Sequence, residues 1–209
     1  VIIKLQKQTR CCILGEYQKK NELTKQKIKD SILKLTSSIS FDKITVGSIA
    51  DKANINRVTF YRHFDNKWEV IEEIEDDFFS KLKKPHEKMI SRLAELNNEK
   101  NIPVELIDFL DVIKENLPLL SILMGNRNDF GFSYRFFEFM IDREKKSHPF
   151  LLLEVNQFER ELFANYSISS FLGIIRFWIL HPTVSSLQIS QFFMKVQLGA
   201  TTGLKTYRY

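Results

Sequence analysis

The chain has 209 residues, which include 18 phenylalanines but only 7 glycines and 5 prolines. This length suits one well-packed domain or a small domain joined to a larger one, and the scarcity of turn-forming residues favours an all-α fold. The two cysteines, Cys11 and Cys12, are adjacent, which argues against a disulfide-stapled secreted protein and leaves no spacing for a metal site.

The chain has a net charge of +5, which is distributed unevenly along its length. Residues 1–68 carry 14 Lys/Arg against 6 Asp/Glu, whereas residues 69–209 carry 17 against 20. A basic N-terminal third suggests that this third binds a polyanion, and a solvated lysine-rich surface is the alternative interpretation.

We expect no targeting segment. The first apolar run ends at Ile3, which is too short for a signal peptide. The most apolar later stretch, Phe171–Leu180, contains Arg176 and is much shorter than the roughly 20 apolar residues that cross a bilayer. We therefore expect a soluble, cytoplasmic protein in which this stretch is a buried helix.

The first periodic helix is predicted from Thr24 onward, and no element is assigned to the basic residues before about position 20. Apolar residues then form one stripe of an amphipathic helix, with lysines opposite: Ile28, Ile32, Leu35 and Ile39.

Three further helices follow in close succession. Thr45 can cap the second, whose apolar stripe is Val46, Ile49, Ala50 and Ala53. Asn54 can end it, because asparagine tolerates the left-handed conformation. Asn56 can cap a third helix, and Asp65 and Asn66 end that helix and begin a fourth. The stripe of the fourth helix is Trp68, Ile71, Ile74, Phe78 and Leu82.

Residues 45–63 thus have the spacing of a helix-turn-helix, in which the second helix lies in the DNA major groove. The stretch NRVTFYRHF places Phe60 and Phe64 toward a core and hydrogen-bond donors elsewhere. We expect base-edge contacts in its first turn and phosphate contacts beyond it. The expected base-reading residues are Arg57, Val58 and Thr59, and the expected phosphate contacts are Thr45, Tyr61, His63 and Lys67.

The run TVGSIADKANINRVTFYRHFDNKWEVIEEI resembles the DNA-binding motif of the TetR/AcrR family of bacterial transcriptional regulators. The resemblance covers Thr24 to Ile74 and includes the T-F/Y-Y-x-H/Y-F-x-x-K signature of the recognition helix. The matching residues are Ile49, Ala50, Ala53, Thr59, Phe60, Tyr61, His63, Phe64 and Lys67. Asn54 and Val58 depart from the pattern, since the family commonly has glycine at both positions.

This resemblance implies a helix-turn-helix domain at residues 24–70 and a larger helical domain at residues 75–201 that dimerises and binds an effector. The last two helices, expected at Val155–Leu180 and Val184–Gly199, would form the homodimer. The first of these resembles the penultimate helix of a subgroup that includes regulators of dihydroxyacetone kinase operons.

Within the larger domain, a helix is expected from Pro103 to Asn116. Phe130–Asp142 is expected to be a buried helix, although its FGFSYRF stretch also alternates as a strand would. The phenylalanines of 130–139 and 158–177 are interpreted as core, with an effector cavity among some of them as the alternative. The candidate anchors for an anionic ligand are Arg127, Arg135 and Arg176, each of which could equally lie on the surface.

The predicted function is a homodimeric repressor that binds a roughly palindromic operator and is released by a small-molecule effector. The alternative is a regulator or coactivator whose helical body binds a partner protein. We expect no enzymatic activity, cofactor or metal, because no catalytic or nucleotide-binding motif is present and His86, His148 and His181 are scattered. The acidic run at residues 72–77 is interpreted as a solvated helix face.

Overall fold

The computed structural model describes residues 2–94, 101–125, 131–144 and 156–206. Over these ranges the chain is helical and contains no strand, which confirms the predicted all-α class. A short 3₁₀ turn, Phe41–Lys43, accompanies the α-helices. The helices are α1 (Ile2–Thr36), α2 (Val46–Ala53), α3 (Arg57–Tyr61), α4 (Lys67–Ala94), α5 (Val104–Glu115), α6 (Leu117–Leu123), α7 (Phe132–Glu144), α8 (Gln157–Leu180) and α9 (Ser186–Thr206).

The chain divides into two compact units, Val1–Asp76 and Asp77–Tyr209. The first contains α1 to α3 and the beginning of α4. The second contains the rest of α4 and the helices that follow it.

Helix α1 is much longer than the sequence periodicity predicts, because it begins at Ile2. Residues 16–20 are exposed along it, so they show no apolar stripe. Glutamate, glutamine and lysine are frequent in that segment and sustain a helix through intrinsic propensity. At the other end α1 stops at Thr36, so Ile39 lies beyond it and is exposed instead of belonging to the buried stripe.

The first unit has one hydrophobic core, built from short stripes on each of its helices. Its fully buried residues are Ile28, Ile32, Phe41, Ile44, Ile49, Ala50, Phe60, Phe64, Val70 and Ile71. Trp68 was expected in this core, but its side chain is 48% exposed and packs edge-on against Phe41 with the ring centroids 4.5 Å apart. In the first turn of α4 the buried residue is Val70 instead of Trp68.

The acidic run on α4 is not the solvated face that the sequence suggested. Glu73 accepts from the ammonium groups of Lys25 and Lys29 of α1, each at 2.8 Å. Lys29 and Glu75 are themselves buried. The run therefore contributes to packing between α1 and α4, and only its remaining members, such as Glu72 and Asp76, are exposed.

The second unit has an aromatic core. Phe78 and Phe79 of α4 lie within 6 Å, centroid to centroid, of Phe132 and Phe136 of α7. His86 is buried beside Phe109 of α5, at 5.4 Å. The helix expected at Phe130–Asp142 is present as α7, so the strand interpretation is wrong. Phe132, Phe136, Phe163 and Phe171 are buried, which confirms their interpretation as core. Phe158 and Phe177 are exposed, so that interpretation is wrong for these two.

Helices α8 and α9 pack on one another and on α5 to α7. Asn156 and Glu159 form a capping box that begins α8, and the Trp178 indole N–H donates to the Val184 carbonyl at 2.9 Å where the chain turns toward α9. Between the two helices, Gln197 Nε2 donates to Ser167 Oγ at 2.9 Å.

The same two helices also expose large apolar side chains. Those of α8 recur at helical spacing and therefore share one face: Phe158, Leu162, Tyr166, Phe177 and Leu180. Those of α9 are Leu187, Phe192 and Leu198.

By length and composition α8 could cross a membrane, with mean hydropathy 1.3 over its most apolar window. One such helix is weak evidence for a membrane segment, since core helices of soluble proteins pass the same test.

Candidate nucleic-acid interface

The first helix of the helix-turn-helix begins at a reciprocal cap. Thr45 Oγ1 accepts from the Ser48 backbone N–H at 3.1 Å, and Ser48 Oγ accepts from the Thr45 N–H at 3.0 Å. This capping box satisfies two backbone donors at the start of α2. The expected cap is therefore confirmed, and the Thr45 side chain, a predicted phosphate contact, is exposed there.

The turn between α2 and α3 depends on one left-handed residue. Asn54 has φ 54° and ψ 50°, as expected for an asparagine that ends a helix. The Ile55 N–H then donates to the Ala50 carbonyl at 3.0 Å, which closes the end of α2. Asn56 follows in an extended conformation, and its Oδ1 accepts from the Thr59 N–H at 2.7 Å.

Helix α3 is short and is held by its two phenylalanines. Phe60 and Phe64 have relative exposures of 0% and 1%, and their ring centroids lie 6.0 Å apart. Backbone N–H groups of His63 and Phe64 both donate to the Phe60 carbonyl, so the chain stays coiled for a turn beyond Tyr61. A five-residue helix cannot persist alone in water, so these buried rings and the Asn56 cap stabilise it.

The rest of α3 presents polar and apolar groups outward. Val58 is 62% exposed and Tyr61 is 56% exposed. Arg57 is exposed too, and its guanidinium forms neither a hydrogen bond nor a salt bridge with any side chain that the structure describes. Thr59 and His63 are half-buried. Arg57, Val58, Thr59 and Tyr61 thus lie on α3, and His63 lies in the turn that follows it.

Lys67 was predicted to contact a phosphate, but in the structure its side chain binds backbone carbonyl groups. Its ammonium donates to the carbonyls of Phe41, Asp42 and Ile44 at 2.8, 3.2 and 2.9 Å and lies 4.5 Å from the centre of the Phe41 ring. An ammonium has three hydrogens, so these three carbonyls use all of them. Lys67 thereby ties the start of α4 to the 3₁₀ turn that leads into α2, and a phosphate would have to displace one of these carbonyls.

His63 lies in an environment that favours its neutral form. Partial burial lowers its pKa from the ordinary value of 6.5, and the positive charge of Lys25 lowers it further. Glu22 and Glu73 act in the opposite direction but do not reverse the shift. The imidazole can therefore donate one N–H as a neutral group, or gain charge when an anion approaches.

Gly47 is a residue of this region that the sequence analysis did not single out. It is buried in the first turn of α2, and a Cβ built on it would lie 2.6 Å from Nη2 of Arg57. The sequence did offer a signal for Gly47. Thr45 already caps the predicted helix, and alanine is more favourable than glycine within a helix, so a glycine there suggests close approach of another group.

The candidate anchors for an anionic ligand belong to the second unit. Arg135 and Arg176 are both exposed, and Arg176 lies 3.4 Å from Ser133 Oγ. Arg127, His148 and Val155 lie outside the described residues. Within the described ranges, no group of three or more His, Cys, Asp or Glu side chains is arranged to hold a metal ion.

Comparison with known proteins identifies the N-terminal domain. Residues 28–74 match the family described as bacterial regulatory proteins, tetR family. The curated protein YxbF of Bacillus subtilis (strain 168), an uncharacterized HTH-type transcriptional regulator, is 25% identical over 166 residues. That match covers 79% of this chain and 42% of YxbF, so the chain spans less than half the length of this relative.

Solved structures share the fold over most of the chain. The dihydroxyacetone kinase operon activator DhaS is 21% identical with a TM-score of 0.54, and the match covers 86% of this chain and 96% of DhaS. NalD of Pseudomonas aeruginosa, the secondary repressor of the MexAB-OprM multidrug efflux pump, is 18% identical with a TM-score of 0.58 and the same two coverages. At these identities the likeness shows the fold alone. The helix-turn-helix domain at residues 28–74 therefore matches the tetR family of bacterial regulatory proteins.

Proposed function

We propose that the chain is a homodimeric transcriptional repressor that binds a roughly palindromic operator through α3. The observation that carries this proposal is the division of α3 into two faces. Phe60 is fully buried, whereas Arg57, Val58 and Tyr61 are exposed on a helix whose backbone is capped and held. Such a helix can present its exposed side chains to the major groove without disturbing its own core.

The first turn of α3 would read bases. Arg57 has donors in a fork that fits the O6 and N7 acceptors of guanine, and Val58 presents a methyl-rich surface to a thymine methyl. Thr59 lies in the same turn and has both a hydroxyl and a methyl group. Tyr61, His63 and Thr45 would contact phosphates, which fix position along the duplex but carry no sequence information. We assign Lys67 to supporting the turn before α2 in place of a phosphate contact.

A dimer would present two copies of α3 to half-sites about one helical turn apart, ~34–36 Å. The support for a dimer is the set of large apolar side chains that α8 and α9 expose, since monomeric soluble proteins seldom leave large apolar patches uncovered. Such a dimer would act in the cytoplasm, where bacterial DNA lies. Repression requires only that the dimer occupy the operator, whereas activation requires a further surface for polymerase.

Release from DNA would follow from binding at the second unit. An effector that binds one dimer geometry better than the other shifts the population toward it, and the operator affinity changes by the same coupling free energy. A second candidate, suggested by the likeness to the operon activator DhaS, is that this unit binds a partner protein. Purification from the native host separates the two, since a retained small molecule supports the effector and a retained protein supports the partner.

The test of DNA reading begins with duplexes selected from a random library by the wild-type chain. Arg57→Ala should lose about 1–3 kcal/mol on the selected duplex and relax the preference at one position of each half-site. Its affinity for random duplex should fall far less. Binding is measured for both proteins on selected and random duplexes across a salt series. Undiminished discrimination by Arg57→Ala would overturn the assignment of base reading to this turn.

A further inference from the structure

Gly47 of α2 is covered by the side chain of Arg57, the first residue of α3. The three atoms nearest to a Cβ built on Gly47 all belong to Arg57: Nη2 at 2.6 Å, Cζ at 3.2 Å and Nε at 3.3 Å. Real Cβ atoms essentially never approach another heavy atom as closely as 2.6 Å. The guanidinium therefore lies against the helix backbone in the space that any other residue's Cβ would fill.

Backbone conformation does not account for this glycine. Among the described residues the only glycine with positive φ is Gly131, so Gly47 adopts a conformation open to any amino acid. Thr45 and Ser48 already form the cap that begins α2. Glycine is also the least favourable residue in a helix after proline. Close approach of another group is the remaining reason for glycine at such a position, and Arg57 is that group.

We propose that Gly47 is a specificity-determining residue that positions the Arg57 guanidinium for base recognition. This inference rests on the proposed function, because it requires Arg57 to read a base. An exposed arginine samples many rotamers, and fixing one of them on binding costs conformational entropy. Contact with the flat backbone surface at Gly47 favours one direction for the side chain before DNA is bound. Preorganisation of this kind raises affinity for the base that matches that direction.

A side chain at position 47 would redirect Arg57 without unfolding the domain. The clashing atoms lie at the far end of a long, flexible side chain that can move outward into solvent. Helix propensity at position 47 would improve with alanine. The effect of Gly47→Ala should thus be confined to recognition, with no loss of thermal stability.

The experiment uses the full chain and a duplex selected from a random library by the wild-type protein. Gly47→Ala should reduce discrimination between selected and random duplex by about fivefold or more, at the same base position that Arg57→Ala relaxes. Affinity for random duplex and the melting temperature should stay at wild-type values. Gly47→Ser adds the same Cβ and provides a second variant.

The double variant Gly47→Ala/Arg57→Ala shows whether Gly47 acts through Arg57. If it does, the double variant discriminates no worse than Arg57→Ala alone, which is the non-additivity expected of residues in contact. Wild-type discrimination by Gly47→Ala and Gly47→Ser, together with loss in Arg57→Ala, would overturn this inference and leave the proposed function standing. Intact discrimination in Arg57→Ala would overturn both.

Discussion

At the residue scale, His63 makes DNA binding sensitive to pH if it contacts a phosphate. Its pKa in the free domain is below 6.5, because partial burial and Lys25 disfavour the charged form. A phosphate beside the imidazole would raise that pKa, so the complex would take up a proton that the free protein does not hold. Affinity should therefore increase as pH falls below neutrality, by up to about tenfold for each unit that DNA adds to the pKa.

Fluorescence anisotropy on random duplex across the pH range from neutral to mildly acidic checks this prediction. His63→Gln should remove most of the pH dependence, whereas His181→Gln, a control at the end of α8, should keep it. A His63→Gln variant with the wild-type pH profile would show that another group takes up the proton.

Lys67→Ala distinguishes a supporting lysine from a phosphate contact. The variant loses three hydrogen bonds to carbonyls, so it should destabilise the first unit by about 1–3 kcal/mol. The slope of log affinity against log salt should stay at the wild-type value at a temperature where the variant is folded. A phosphate contact would instead reduce that slope by about 1, with little change in stability. Chemical denaturation and a salt series on random duplex provide the two measurements.

At the element scale, the link between α1 and α4 should govern acid stability of the first unit. Burial alone would raise the pKa of Glu73, but hydrogen bonds from Lys25 and Lys29 outweigh it and hold the pKa below 4.5. The unfolded chain thus binds the proton more tightly than the native one. This contribution to the free energy of unfolding is fully present above pH 4.5 and is lost as pH falls through the lower, native pKa.

Glu73→Gln should consequently lower the free energy of unfolding at neutral pH by about 1–3 kcal/mol, because Lys29 is buried beside it. The difference from wild type should shrink below pH 4.5. Glu72→Gln is the matched control, since Glu72 is exposed on the same turn of α4. Equal stability curves for Glu73→Gln and wild type would contradict a stabilising role for this ion-pair cluster.

Among the structural elements, local features could be predicted from the sequence, whereas contacts between distant segments could not. The caps at Thr45 and Asn56 and the left-handed Asn54 were predictable, because each depends on one side chain and its neighbouring backbone. Lys67 and Glu73 were not, because their partners lie more than 20 residues away along the chain. Periodicity likewise could not find residues 16–20 of α1, because they are exposed and have no apolar stripe to detect.

At the scale of the whole molecule, the exposed apolar face of α8 should pair two chains. Leu162 is 58% exposed, so a charged residue there should leave the monomer fold intact while opposing burial against a partner. Leu162→Glu should give a mass near 24.7 kDa by light scattering, whereas wild type should give twice that mass. Val104→Glu is the control, because Val104 is equally exposed, at 59%, but lies on α5. A wild-type mass of one chain at micromolar concentration would refute the dimer.

The three carbonyls that bind Lys67, those of Phe41, Asp42 and Ile44, form a carbonyl cradle that should also affect the reactivity of this lysine. In acetylation the neutral amine attacks the acyl carbon of the reagent, so the Lys67 ammonium must leave its three carbonyl partners and lose a proton before it can react. In the folded domain Lys67 should therefore be acetylated much more slowly than exposed Lys43 or Lys52. An acetylated Lys67 has lost its charge and two of its three donors, so it could not restore the cradle. Acetylation at this one position would accordingly mark the molecules whose DNA-binding domain had opened.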